Sequence, residues 1–232
     1  MPTTRKPYKG PAMEGVIARW YARITARDRG YHALAAEIAA RLPPGARVLE
    51  VAPGPGYLAV ELARRGLRVT AVDISRSFVR IASDNARAAG VTIDACHGNA
   101  SQLPCADGSF DFVVCRAAFK NFSDPLGALD EVYRVLAPGG RASIIDLRRE
   151  ASRDDIRAEV DAMELGWLNT LWTRATFRWF LLKNAYAQDA LEELVQRSRF
   201  GRGDVRRDGI GFDLRLEKPL TAAPDAHVIA GA

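Results

Sequence analysis

Val48-Leu-Glu-Val-Ala-Pro-Gly-Pro-Gly-Tyr-Leu-Ala-Val60 is the stretch that decides the fold. An apolar strand, Arg47 to Val51, follows the loop-forming Pro43-Pro44-Gly45 and breaks into a loop holding Gly54 and Gly56. Helical spacing begins at once, at Leu58, Leu62 and Ala63. Glycine lets the backbone turn sharply and brings a ligand close to main-chain N–H groups. The place after the first strand of a doubly wound sheet is where such folds bind ligands.

The pattern continues downstream. Leu67 to Val72 reads as a second strand ended by Asp73, and Phe78, Ile81 and Ala82 share one helix face. Val91-Thr-Ile93 is expected as the third strand and Phe110 to Cys115 as the fourth. The stripe Leu126, Leu129, Tyr133 and Leu136 marks the next helix, and Ala142 to Leu147 the fifth strand. Val205 to Leu216, turning at Asp208-Gly209, reads as an antiparallel hairpin. Strands alternating with amphipathic helices predict a doubly wound, mainly parallel α/β sheet.

Two regions stand outside this alternation. Residues 13–42 carry helical stripes that include Tyr31, Leu34, Ile38 and Leu42, and are expected as N-terminal cap helices. Residues 156–182 hold Trp167, Trp172, Phe177, Trp179 and Phe180, and with Trp20 the two regions contain all four tryptophans. The expected organisation is one domain over 1–218, with a core at 45–147, a helical lid insert at 151–185, a last helix and hairpin at 187–218, and a flexible tail at 219–232.

Totals exclude some classes. At 232 residues, 48% hydrophobic and 26% charged, the composition is that of an ordinary globular protein. No apolar run is long enough to span a bilayer, and the basic start lacks the apolar stretch of a secretory signal. Cys96, Cys105 and Cys115 form no C-x-x-C pair, so reduced thiols in a cytoplasmic protein are expected. His32, His97 and His227 are scattered, and no metal site is legible. The net charge of +5 is spread along the chain among acidic residues, which argues against a nucleic-acid footprint.

The chemistry concentrates around the glycine loop. A carboxylate at Asp73 is placed to accept both hydroxyl hydrogens of a ribose, which points to a nucleoside-containing cofactor. Gly54, Gly56 and Ala59 fit G-x-G-x-x-A, a spacing that also serves NAD. Glu50, inside the strand, favours a cationic ligand over a pyrophosphate. A Tyr-x-x-x-Lys pair of the kind used for hydride chemistry is absent from the sequence.

Five segments occur in order: Glu50-Val-Ala-Pro-Gly-Pro-Gly56, Val72-Asp-Ile-Ser75, Gly98-Asn-Ala-Ser-Gln-Leu-Pro104, Gly108-Ser-Phe-Asp-Phe-Val113 and Arg134-Val-Leu-Ala-Pro-Gly-Gly140. Together they resemble class I S-adenosylmethionine-dependent methyltransferases of the ubiquinone/menaquinone-biosynthesis group, over about residues 45–147. The resemblance implies a Rossmann-like seven-stranded sheet whose last strand is antiparallel. It implies S-adenosylmethionine as cofactor, with S-adenosylhomocysteine as product. By the same resemblance Gly54 and Gly56 hold the methionine end near Glu50, and Asp73 binds the ribose. Ile74 packs on the adenine, Asn99 and Ala100 meet its edge, and the backbone around Arg116 lines the sulfonium end. Tyr21 resembles an N-terminal tyrosine that closes over the cofactor.

The departures are informative. Ala52 replaces a usual glycine, which is tolerable if its φ is negative. Asn99 replaces a common aspartate. Phe119-Lys-Asn-Phe122 stands where many relatives carry a histidine pair, so the usual general base is missing. Transfer from a sulfonium then relies on alignment of an acceptor that is already nucleophilic, such as a phenolate, an enolate-like carbon or an amine. Lys120 and Asn121 are the expected catalytic-side residues, orienting a small-molecule acceptor. A nicotinamide-dependent oxidoreductase and a non-methylating cofactor binder remain alternatives at this point. Monomer and homodimer are equally open.

Overall fold

The computed structural model describes residues 8–10, 13–26, 28, 30–152, 155 and 184–220. The tryptophan-rich stretch and most of the expected lid and tail lie outside the described residues. Two helices come first, α1 (Gly15–Thr25) and α2 (Gly30–Ala39). The alternating core follows as β1 (Arg47–Val51), α3 (Tyr57–Arg64), β2 (Arg68–Asp73), α4 (Arg76–Ala88), β3 (Asp94–His97), β4 (Phe110–Arg116), α5 (Pro125–Val135) and β5 (Leu136–Leu147). Past the undescribed stretch come α6 (Gln188–Arg197), β6 (Asp204–Asp208) and β7 (Gly211–Glu217).

The strands form one seven-stranded sheet in the order β3-β2-β1-β4-β5-β7-β6. β1 to β5 run parallel, and β7 pairs antiparallel with both β5 and β6. The chain winds outward from β1 to β3, then returns to lay β4 against the other side of β1. The carboxyl ends of β1 and β4 therefore flank the point where the winding reverses, and a crevice opens there. This is the class I architecture that the alternation and the resemblance imply.

Side-chain alternation on β1 supplies both layers. Leu49 and Val51 join Val113, Cys115, Leu129 and Ile144 on one face of the sheet. Val48 packs with Leu58 and Leu62 of α3, Ile38 of α2 and Val114 on the other. Glu50 shares that second face, so the pleat carries its carboxylate into the protein.

Two strand expectations need correction. Val91-Thr-Ile93 is not a strand, and β3 starts at Asp94, pairing with Thr70 to Asp73. The Val91 N–H instead donates to the Ala86 carbonyl (3.0 Å) as α4 closes through Gly90 at φ +70°. Leu136 belongs to β5 rather than to the α5 stripe. Pro138-Gly139-Gly140 is absorbed as a bulge, where the register steps from Phe110 opposite Leu136 to Phe112 opposite Arg141.

At the amino ends of β4 and β5 a groove of about 690 Å³ is lined by Arg41, Arg141, Arg206 and Arg215. Its charges largely cancel: Arg215 pairs with Asp213 (2.6 Å) and Arg206 with Asp204 (2.7 Å). It lies at the amino ends of these strands, remote from the crevice at the carboxyl ends.

Candidate cofactor and acceptor site

The glycine loop is held by the residue that ends the neighbouring strand. Asp73 Oδ2 accepts the Gly54 N–H (3.0 Å), and Oδ1 accepts the Ser75 N–H (2.8 Å). Ser75, not Asp73, caps α4, its hydroxyl accepting the Phe78 N–H at 3.1 Å. A carboxylate has about four lone-pair positions, so two such bonds leave Asp73 capacity for ribose hydroxyls. Burial pushes its pKa up to about 6, with the backbone bonds from Ser75 and Gly54 pulling the other way.

Gly56 caps α3 at φ +76°. A side chain there would begin 2.6 Å from the Ala82 Cβ, so Gly56 sets how closely α3 and α4 approach. Gly54, at φ +56°, lies under the Tyr21 ring, whose edge is 3.9 Å from where a side chain on Gly54 would start. Tyr21 in turn meets Phe78 edge-on at 5.8 Å. The structure thus brings Tyr21, Gly54, Gly56 and Asp73 together.

Ala52 does not meet the condition placed on it. Its φ is +55°, the left-handed region, where its methyl is strained. Ala117, just after β4, has φ +60°. The two alanines follow the two strands that flank the crevice, a position where backbone strain tends to collect.

Glu50 is 3% exposed, and its Oε2 has no hydrogen-bond partner. Burial raises its pKa to about 8, offset in part by the Ala59 N–H and by Arg116. A buried polar atom without a partner is costly, and a cationic group seated there would supply one.

Arg116 ends β4, and its side chain turns toward the N-terminal helices. It pairs with Asp28 (2.9 Å) and lies over the Tyr31 ring at 4.4 Å. The Asn99 side-chain oxygen accepts from the Ser101 N–H and hydroxyl, each at 3.2 Å, a local turn. Ile74 and Ala100 are half-buried beside Asp73 and Asn99.

Lys120 is not available to orient an acceptor. It is 6% exposed, its Nζ donates to Asp146 (2.8 Å) and to the Ala117 carbonyl (3.1 Å), and its N–H donates to the other Asp146 oxygen (2.9 Å). The ammonium is thus spent inside the protein, fixing the short 3₁₀ turn Phe119–Asn121 to the end of β5. Asn121 stays at the surface of that turn. Its carbonyl accepts the Lys9 N–H (2.8 Å) and its side-chain oxygen accepts from Asn184 (3.3 Å).

Three residues escaped the sequence reading. Asp146 was a charged residue inside an apolar strand, a signal that was there to use. Glu14 accepts the Arg76 and Ser77 N–H groups (2.9 and 3.0 Å), while Ser77 accepts the Gly15 N–H (2.9 Å), locking α1 to α4. Tyr8 bridges to Phe122, and burial, then Tyr21 and Asp73, raise its phenol pKa. Tyr8 lies outside any periodic segment, and Glu14 stands at the very start of one, just before α1.

Residues 49–144 match the family described as "Methyltransferase domain". Over that segment the chain is similar to this family, and its sheet has the class I methyltransferase fold. A demethylmenaquinone methyltransferase of Deinococcus radiodurans is 41% identical over 128 residues, covering 54% of this chain and 52% of that one. The chain thus matches about half the length of this curated relative. Among solved structures, an S-adenosyl-L-methionine-dependent methyltransferase from Methanococcus maripaludis covers 94% of this chain and 97% of its own, with TM-score 0.70 and 22% identity. The cyclase SpnF shares the fold at TM-score 0.56 and 23% identity, covering 82% of this chain and 81% of its own. Nothing in these matches favours a nicotinamide oxidoreductase. Among the described residues no helix is long and apolar enough to cross a membrane, and no group of His, Cys, Asp or Glu is arranged to hold a metal.

Proposed function

We propose that the protein transfers a methyl group from S-adenosylmethionine to a small electron-rich acceptor, a phenolate or an enolate-like carbon. The observation that carries this reading is the pair of buried carboxylates flanking the glycine loop. Glu50 has an unmatched oxygen at the crevice end of β1, and Asp73 has spare acceptor capacity at the end of β2. A cationic amino-acid tail and a ribose satisfy that combination, whereas a pyrophosphate brings no donor to the unmatched Glu50 oxygen. When bound, the cofactor supplies an activated methyl on a sulfonium.

The protein's own part is placement. Gly54 allows close backbone approach, Gly56 lets α3 and α4 close up beneath the loop, Asp73 fixes the sugar, and Tyr21 excludes water from above. Alignment of this kind supplies several kcal/mol of barrier reduction. The turn Phe119–Asn121 carries no histidine, so the acceptor arrives ionised or intrinsically nucleophilic. The quinone-linked name of the relative supports a cyclic, phenol-like acceptor. Asn121 borders the acceptor side, and Lys120 with Asp146 holds it in position.

The test is formation of S-adenosylhomocysteine when the protein meets S-adenosylmethionine and a panel of quinols, phenols and amines, read by mass spectrometry. Turnover with a quinol or phenol supports the reading. The fold shared with a cyclase makes a second outcome concrete: tight cofactor binding without methyl transfer to any acceptor would favour the non-methylating alternative.

A further inference from the structure

Exposed large apolar side chains gather on one helix. Among the described residues they are Val16, Ile17, Trp20, Ile24 and Leu220, and four of these five belong to α1. At about 100° per residue, Val16, Ile17, Trp20 and Ile24 share one arc of about 100° around that helix. Scattered singly they would need no explanation, whereas a contiguous stripe marks an interaction surface. The stripe is not core turned outward, because Ala18 and Ala22, on the opposite side of α1, are the residues that pack inward. Tyr21, close over Gly54, follows the stripe along one edge. Arg19 and Arg23 border it along the other.

The charge around the stripe has one sign. α1 carries these arginines and no acidic residue. Arg76 and Arg80 are exposed at the start of α4, which Glu14 and Ser77 tie to the amino end of α1. The neighbouring acids are already engaged: Glu14 by the Arg76 and Ser77 N–H groups, Asp28 by Arg116, and Asp84 by Arg87. Arg19, Arg23, Arg76 and Arg80 are thus left without an ion pair among the described residues. A second copy meeting this face through its own α1 would bring further arginine and no carboxylate to match it. An anionic lipid surface complements both features, since apolar side chains sink between headgroups, an indole sits at the boundary and arginines meet phosphates. We propose that α1 seats the protein on an anionic lipid surface, with Val16, Ile17, Trp20 and Ile24 in the apolar layer and Arg19 and Arg23 on headgroup phosphates. At 11 residues the helix is too short to span a bilayer, so it lies along the surface. Because Tyr21 edges the same stripe, the crevice opens beside the lipid boundary, where an apolar acceptor concentrates.

Vesicle flotation of the full chain tests this, with methyl transfer no part of the readout, so the cofactor reading stands or falls separately. The probes are vesicles of phosphatidylcholine alone, and of phosphatidylcholine with phosphatidylglycerol in equal parts. The protein should float with the second kind and stay behind with the first, and added salt should release it. Each basic residue near an anionic surface tightens binding about fivefold, so Arg19→Gln with Arg23→Gln should weaken it about 25-fold. Trp20→Ser with Ile24→Ser should weaken it at least about tenfold. All four positions are exposed, so thermal midpoints near the parent's will separate lost binding from lost folding. No flotation of the parent with anionic vesicles would overturn the proposal. Undiminished flotation of Trp20→Ser with Ile24→Ser would do so too, by placing the lipid contact elsewhere on the protein. A parent dimer that this same pair of changes splits into monomers, with no vesicle binding, would assign the face to a second copy instead.

Discussion

Lys120 and Asp146 form a buried ion pair, Nζ to Oδ1 at 2.8 Å, with side chains 7% and 0% exposed. Two backbone N–H groups, of Lys120 and Leu147, also donate to the Asp146 carboxylate (2.9 and 2.7 Å). The pair ties the turn after β4 to the end of β5, and the position of Asn121 depends on it. Removing one partner of a buried pair leaves an uncompensated charge, at a cost of about 3–5 kcal/mol. Lys120→Ala should lose that much stability in urea denaturation. The double change Lys120→Met with Asp146→Leu should recover most of it. Full stability in Lys120→Ala would show that the pair is not closed in solution.

Ala52 and Gly56 make opposite predictions from the same loop. Ala52 holds φ +55°, so Ala52→Gly relieves strain of about 1–2 kcal/mol, part of which the added freedom of the unfolded chain takes back. The expected net effect is a stabilisation of about 0.5–1 kcal/mol. Gly56→Ala combines an unfavourable φ with a 2.6 Å contact at Ala82, and should cost about 2–4 kcal/mol. Denaturation midpoints of the two variants on either side of the parent check both signs.

Stability should fall as pH rises from about 4.5 to 8. In the folded chain Glu50 keeps its proton to about pH 8, against 4.5 for an unperturbed glutamate, and Asp73 to about 6 against 3.8. Across these windows the folded state binds more protons than the unfolded one, so both groups stabilise most at low pH and lose that contribution as pH rises. Glu61, drawn down first by its hydrogen bond with Arg65, to about 2, has the opposite sign but acts below pH 4.5. Between pH 6 and 8 the slope therefore belongs to Glu50, at most about 1.4 kcal/mol per unit. The Glu50→Gln protein should show a thermal midpoint nearly flat over that range. A parent protein equally flat there would mean that Glu50 is ionised in the free state.

The parts of the fold that periodicity encodes were legible. β1 and β4 are buried apolar runs, and the closing hairpin alternates Phe212, Leu214 and Leu216 with polar residues. β3 was misplaced because it is a partly exposed edge strand, Asp94 to His97, whose composition carries no apolar signal. The glycines and Asp73 were readable because a tight loop and a strand-end carboxylate leave marks in the sequence. Lys120 was misread because a lysine after a strand looks the same whether it faces solvent or a buried aspartate from a distant strand. Glu14 and Tyr8 act across the fold on elements formed much later in the chain, a relation that local pattern does not record.

The most direct test of the central claim is a thermal shift with S-adenosylhomocysteine, comparing the parent protein with Asp73→Ala. At about 100 times its dissociation constant a ligand adds about 2.7 kcal/mol, or roughly 5–10 °C for a chain of this size. The expected result is a shift of that order in the parent, lost in Asp73→Ala at the same concentration. A parent midpoint that does not move with S-adenosylhomocysteine, yet rises with NADH, would contradict the assignment of the crevice.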